Sequence, residues 1–146
     1  MKAKSLVTAT CLCFGSPVIA GDFGTAEEAR AIAGQLSDIV KTNGMDAGIA
    51  AMHDPSMPFS SSVLGIHLFE EGIIVGDNRE PELLAASYVE VEDLTGEPMW
   101  PRIVEAADAR GDATLEWYHY DTEAEYSYAC YSEWAIEGSA LVMVCR

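Results

Sequence analysis

Aromatic side chains with a polar tip are concentrated in the last third of this 146-residue chain. Residues 117–120 (WYHY) and 126–131 (YSYACY) contain most of them. An indole, a phenol or an imidazole offers a large contact area together with a hydrogen-bonding group, which suits a pocket for a small organic molecule. Adding polar or aromatic residues from the preceding segments, the candidate ligand-binding residues are His67, Asp93, Trp100, Trp117, His119 and Tyr128.

The sequence leaves the chemistry of the ligand open. Aromatic rings near acidic side chains favour a cation through cation–π contact. Asp93, Glu116 and Asp121 are the candidates for its countercharge. The ligand classes that remain are an amine, an amino acid and a small carboxylate.

Signatures of catalysis are missing from the sequence. His53, His67 and His119 show neither H-x-H nor H-x-x-x-H spacing, so no metal site is expected. No G-x-S-x-G nucleophile motif and no glycine-rich phosphate loop is present. We expect no catalytic residues, no cofactor and no enzymatic activity; a small hydrolase or isomerase is the least favoured alternative.

The first 20 residues have the pattern of a secretory signal peptide. Lys2 and Lys4 precede a mostly apolar run, residues 6–14, and residues 18–20 (VIA) suit a cleavage site. The apolar run is too short for a comfortable membrane span. We therefore expect cleavage after Ala20, with an uncleaved anchor as the alternative. Residues 21–146 are then a single domain that is periplasmic or secreted and not inserted in the membrane.

Removing the signal peptide also simplifies the cysteines. Cys11 and Cys13 leave with it, and Cys130 and Cys145 remain. In an oxidising compartment two such cysteines are a candidate disulfide. A hairpin that turns at residues 137–138 places them directly opposite each other. Two buried thiols that never meet are the alternative.

The chain is strongly acidic, with a formal net charge of −16 at pH 7. Without residues 1–20, six Lys and Arg side chains stand against 24 Asp and Glu, a net of −18. Nucleic acids and anionic membranes both require positive charge, so neither is an expected partner.

Hydrophobic periodicity and turn residues predict an α+β fold. A capping box at Thr25 and Glu28 begins a long helix that ends at Asn43-Gly44. The other predicted elements are a helix at 45–52, strands at 62–69 and 73–75, a loop or broken helix covering the sheet at 80–94, a helix at 99–110 and strands at 113–121, 125–135 and 139–146. Consecutive strands favour a five-stranded antiparallel sheet with the long N-terminal helix, a helix between strands 2 and 3, and helices on one side.

Short motifs occur along the chain in the same order as these elements. They are Phe59 and residues 70–72 (EEG), 76–78 (GDN), 93–96 (DLTG), 103–111 (IVEAADARG), 117–120 (WYHY) and 128–131 (YACY). In this order they resemble the single Cache domain, the PAS-like extracytoplasmic sensor module of bacterial chemoreceptors and sensor kinases. The resemblance covers residues 25–146, and it implies a small-molecule sensor rather than an enzyme.

Two departures from that family affect the expected function. Family members often have a Lys before the second Tyr strand that can meet a ligand carboxylate, whereas no Lys follows Lys41 here. An Arg must then take this role, or the role is lost. Family members also continue into a kinase or methyl-accepting module, whereas this sequence ends with its last strand. We expect a ligand-binding domain without its own transmitter, read by a membrane receptor or kinase partner. A structural or interaction module without a ligand is the alternative.

Overall fold

The computed structural model describes residues 24–146, so the predicted signal peptide, with Cys11 and Cys13, lies outside the described residues. The elements are α1 (Ala26–Asn43), α2 (Met45–His53), β1 (Gly65–Glu70), β2 (Ile73–Asp77), α3 (Met99–Ala109), β3 (Asp112–Tyr118), β4 (Glu125–Ile136) and β5 (Ala140–Cys145). A 3-10 turn, Pro81–Leu83, interrupts the long β2–α3 connection. The five strands form one antiparallel sheet in the order β2-β1-β5-β4-β3, which confirms the predicted α+β fold.

The predicted capping box begins α1. Thr25 Oγ1 accepts a hydrogen bond from the Glu28 backbone N–H, and Glu28 Oε2 accepts one from the Thr25 N–H. These two bonds satisfy backbone donors that a helix leaves without partners in its first turn. The helix ends at Gly44, whose φ of 90° favours glycine. The buried stripe of α1 faces the sheet and is formed by Ala29, Ala33, Leu36 and Val40.

The helices cover both faces of the sheet, which corrects the expectation of helices on one side. Side chains alternate along each strand, so Val142 and Val144 of β5 face α1 and α2, whereas Leu141 and Met143 face α3. The β2–α3 connection packs on the α3 face as predicted for a covering loop. None of the helices in residues 24–146 is both long and apolar enough to cross a membrane.

β1 begins later and β3 ends earlier than predicted, because side chains take over backbone hydrogen bonds at these two ends. At the start of β1, the Asn78 amide donates to the backbone oxygen of Leu64 and accepts from the N–H of Ile66. After β3, the imidazole of His119 accepts from the N–H groups of Asp121 and Thr122 and turns the chain. Side-chain bonds of this kind compete with strand pairing.

Candidate functional site

A cavity opens on the face of the sheet that carries α3. Its volume is about 70 Å³, measured as the space open to the centre of a water molecule, and its mouth opens to solvent. The sheet contributes the floor, and the β2–α3 connection together with Met99 covers it. The deepest apolar wall is formed by Leu115, Cys130, Met143 and Cys145, which lie on three neighbouring strands.

The predicted disulfide is present and forms part of this floor. Cys130 of β4 and Cys145 of β5 lie directly opposite each other, with an S–S distance of 2.05 Å. The next pair, Ala129 and Arg146, exchanges both backbone hydrogen bonds. Antiparallel pairs alternate between bonded and non-bonded, and side chains are closer in the non-bonded pair, so this register suits a cross-strand disulfide.

Four of the six predicted ligand-binding residues line the cavity. The structure brings together His67 from β1, Trp117 from β3, Tyr128 from β4 and His119 from the turn after β3. Trp100 lies outside the lining: its ring packs against Phe69, with 5.3 Å between centroids.

Asp93 also lies outside the cavity, where it covers the outer edge of β3. Its Oδ2 atom is 2.6 Å from Arg102 Nη2 and accepts the backbone N–H of Glu116. Burial raises the pKa of Asp93, but hydrogen bonds from Thr95, Arg102 and Glu116 outweigh this effect and hold the pKa well below its usual value. Arg102 also donates to the backbone oxygen of Thr114. Asp93 and Arg102 therefore form hydrogen bonds with backbone groups of β3 that an edge strand otherwise leaves exposed.

His67 is held against the cavity wall by Asp77 at the end of β2. His67 Nδ1 lies 2.6 Å from Asp77 Oδ2, and Asp77 Oδ1 accepts the backbone N–H groups of Arg79 and Glu80. Burial raises the pKa of the Asp77 carboxyl, but the hydrogen bond and charge of His67, with the two backbone bonds, hold it below its usual value. Asp77 therefore stays ionised at neutral pH.

The turn that follows β3 holds the ring of His119 in place. Its Nδ1 atom accepts from the N–H groups of Asp121 and Thr122. The ring is buried and stacks on Tyr120, with 4.7 Å between centroids.

Two arginines line the cavity, and neither was among the candidate residues chosen from the sequence. Arg146 is committed elsewhere, because its two terminal nitrogens donate to the carboxylate of Asp112 at 3.4 and 2.9 Å. Arg79 donates to the backbone oxygen of Ser62 and lies over the ring of Tyr120, 4.3 Å from its centroid. Among the described residues, no carboxylate lies within ion-pair distance of Arg79.

Glu80 and Tyr88 place further polar groups in the lining. Burial, together with the charge of Asp77, raises the pKa of the Glu80 carboxyl. Burial and the charges of Asp77 and Glu80 raise the pKa of Tyr88 to about 12, so its phenol remains a hydrogen-bond donor at neutral pH. Glu116 and Asp121, predicted as countercharges, do not line the cavity.

Metal-binding geometry is missing from the part of the chain that the structure describes. No group of three or more His, Cys, Asp or Glu side chains is placed there to hold a metal ion. The cavity instead combines aromatic walls with a few charged groups, which is the usual composition of a site for a small organic molecule.

No protein-family model matches the sequence, and no curated protein matches it. Three solved structures resemble the fold over 82% of this chain. A methyl-accepting chemotaxis protein from Vibrio parahaemolyticus RIMD 2210633 is 15% identical, with a TM-score of 0.59 over 81% of that chain. A Cache chemosensory domain described for carboxylic acid recognition is 9% identical, with a TM-score of 0.56 over 86% of that chain. The periplasmic sensor domain of a chemotaxis protein is 12% identical, with a TM-score of 0.54 over 88% of that chain.

Proposed function

We propose that this chain, which has the fold of the Cache sensor domains, is an extracytoplasmic sensor domain that binds a small organic ligand beside the Cys130–Cys145 disulfide. The observation that carries this proposal is the cavity, because it gathers His67, Trp117 and His119 from separate elements around one empty space. A domain that used its fold only as a scaffold has no need to leave such a space unfilled, since protein interiors are otherwise close-packed.

A carboxylate on the ligand agrees best with the charges of the wall. Arg79 provides a guanidinium without a carboxylate partner, and such groups bind carboxylates through two parallel hydrogen bonds. It takes the role that a Lys has in related sensor domains. The imidazole of His119 lines the same cavity. A plain amine is disfavoured, because Arg79 already occupies the face of Tyr120.

The location and partner follow from the same proposal. Export through the signal peptide, with cleavage after Ala20, places residues 21–146 in the periplasm or outside the cell. There the domain acts as the ligand-binding part of a signalling system, and a membrane receptor or kinase reads its bound state. Mass spectrometry of the exported protein tests the cleavage site, because a mass that still includes residues 1–20 contradicts it.

The test of ligand binding uses protein exported to a bacterial periplasm, so that the disulfide forms. A thermal-shift screen of amino acids, small carboxylates and amines is followed by titration calorimetry. A ligand that binds only the folded state raises the melting temperature. If no compound raises it at millimolar concentration, the proposal fails and the structural or interaction module replaces it.

A matched pair of glycine variants locates the binding. A Cβ at Gly65 would stand in the cavity wall, 3.4 Å from His67 Nε2 and 3.9 Å from Cys145 Cβ. A Cβ at Gly34 on α1 would meet no atom within 4 Å. We expect Gly65→Ala to weaken binding about fivefold or more, since one added methyl group crowds the ligand. Gly34→Ala should leave the affinity unchanged; equal affinities for the two variants place the ligand elsewhere.

A further inference from the structure

The charged side chains of the cavity wall fall into two that pair with another side chain and two that form no ion pair. Asp77, Arg79, Glu80 and Arg146 all line the cavity. Asp77 is hydrogen-bonded to His67, and Arg146 forms an ion pair with Asp112 outside the cavity. Arg79 and Glu80 have no ion-pair partner within residues 24–146 and form no ion pair with each other.

Arg79 and Glu80 are held in place by a shared backbone anchor. Both of their N–H groups donate to Asp77 Oδ1, at 2.8 and 2.7 Å. Asp77 is buried, so this anchor is shielded from water. One positive and one negative group are therefore presented side by side at the cavity, from a backbone segment that Asp77 fixes.

The surroundings of Glu80 disfavour its negative charge. Burial and the neighbouring charge of Asp77 raise the pKa of its carboxyl, and the charges of His67 and Arg79 offset only part of this effect. The charge of Glu80 also acts on the phenols of Tyr88 and Tyr128, which line the same space. A ligand that brings only a carboxylate adds a further negative charge here, whereas an ammonium group compensates the charge of Glu80.

We infer that the ligand is a small zwitterion with an ammonium and a carboxylate group, of the α-amino acid type, whose carboxylate meets Arg79 and whose ammonium meets Glu80. This inference rests on the proposed function and narrows its ligand. On this inference, Glu80 is the residue that makes the domain bind amino acids more tightly than carboxylic acids without an ammonium group.

The experiment compares matched pairs of compounds that differ only in the ammonium group. Alanine and propionate form one pair, and leucine and 4-methylpentanoate form another. For the pair that the wild-type protein binds, calorimetry should show the amino acid binding about tenfold or more tightly than its deamino acid. Ethylamine, which lacks the carboxylate, should not bind measurably.

Three variants assign this preference to the two side chains. Glu80→Gln should abolish the preference, because the amino acid loses its counterion while the deamino acid loses a repulsive charge. Arg79→Gln should weaken the binding of both compounds. Glu105→Gln removes the same charge from the exposed face of α3, outside the cavity, and should change neither affinity. Melting temperatures without ligand check that each variant is folded.

The outcomes separate this inference from the proposed function. Deamino acids that bind as tightly as amino acids overturn the zwitterion and leave a carboxylate sensor. A preference that survives Glu80→Gln overturns the assignment to Glu80. If none of the compounds binds the wild-type protein, the proposed function itself fails.

Discussion

His67 and Asp77 are joined by a hydrogen bond of 2.6 Å between Nδ1 and Oδ2 that connects β1 to the end of β2. The other oxygen of Asp77 accepts from the backbone of Arg79 and Glu80. The Asp77 side chain is only 1% exposed. A single buried carboxylate therefore positions both the imidazole in the cavity wall and the charged segment beside it.

Replacing Asp77 should destabilise the domain in a pH-dependent manner. Asp77→Asn keeps the shape but removes the charge and one acceptor oxygen, so we expect a loss of about 1–3 kcal/mol at neutral pH, measured by urea unfolding. Because the pKa of Asp77 is lowered in the folded state, its stabilisation is present above the unfolded pKa of about 4. It is lost as the pH falls through the lower folded value.

The wild-type protein and Asp77→Asn should therefore converge in stability as the solution is acidified. The exposed Asp38 of α1 gives a matched control, because Asp38→Asn removes the same charge without a buried partner. We expect the control to change stability by less than about 0.5 kcal/mol. A constant difference between wild type and Asp77→Asn from pH 3 to pH 7 contradicts this role of Asp77.

The fold was predictable because its signals are local. The capping box at Thr25, the glycine at Gly44 and the apolar run of β5 each depend on neighbouring residues, and all agree with the structure. The hairpin register that joins Cys130 to Cys145 also follows from the turn between them. The face of the sheet on which α3 packs could not be predicted from such local signals, because it depends on a long irregular connection without periodicity.

The candidate site was only partly predictable, because its charged members depend on tertiary pairing. Tyr128 and Trp117 stood out by residue type, whereas Asp77 and Glu80 were two among 24 acidic residues. Asp93 was chosen for its charge, yet the structure pairs it with Arg102 at the edge of β3. No local pattern distinguishes a carboxylate that faces a cavity from one that covers a strand.

Reducing the disulfide should destabilise the folded domain. The two cysteines are 15 residues apart, a separation at which chain entropy predicts a stabilisation of about 3 kcal/mol. We expect the urea midpoint of the wild-type protein to fall on addition of a reductant. The double variant Cys130→Ser/Cys145→Ser controls for the reductant, because its midpoint should not respond. Equal midpoints for the oxidised and reduced wild-type protein contradict the prediction.

Asp93 and Arg102 should be energetically coupled at the outer edge of β3. The Asp93 side chain is fully buried, and Arg102 donates both to it and to Thr114 of β3. We expect a coupling energy of about 0.5–3 kcal/mol from a double-mutant cycle with Asp93→Asn and Arg102→Gln, measured by urea unfolding at pH 7. Additive effects of the two substitutions contradict the coupling.

Exposing the edge of β3 should also promote association between copies of the chain. Unpaired N–H and C=O groups on an edge strand are a template for pairing with another strand. We expect Asp93→Asn to sediment partly as a larger species at concentrations where the wild-type protein does not. The exposed Asp108 of α3 is unsuitable as a control because it accepts from Trp134, so Asp38→Asn is used instead.

Two glycines in the helices should respond in opposite ways to the same substitution. Alanine normally stabilises a helix interior by about 0.5–1 kcal/mol relative to glycine. At Gly34 of α1 an added Cβ meets no atom within 4 Å, so Gly34→Ala should stabilise the domain by this amount.

At Gly48 of α2 the same atom would overlap the side chain of Val40, where the two helices approach each other closely. Gly48→Ala should therefore destabilise by about 1–3 kcal/mol in urea unfolding, because overpacking outweighs helix propensity. Stabilisation by both substitutions contradicts the close packing of α1 on α2.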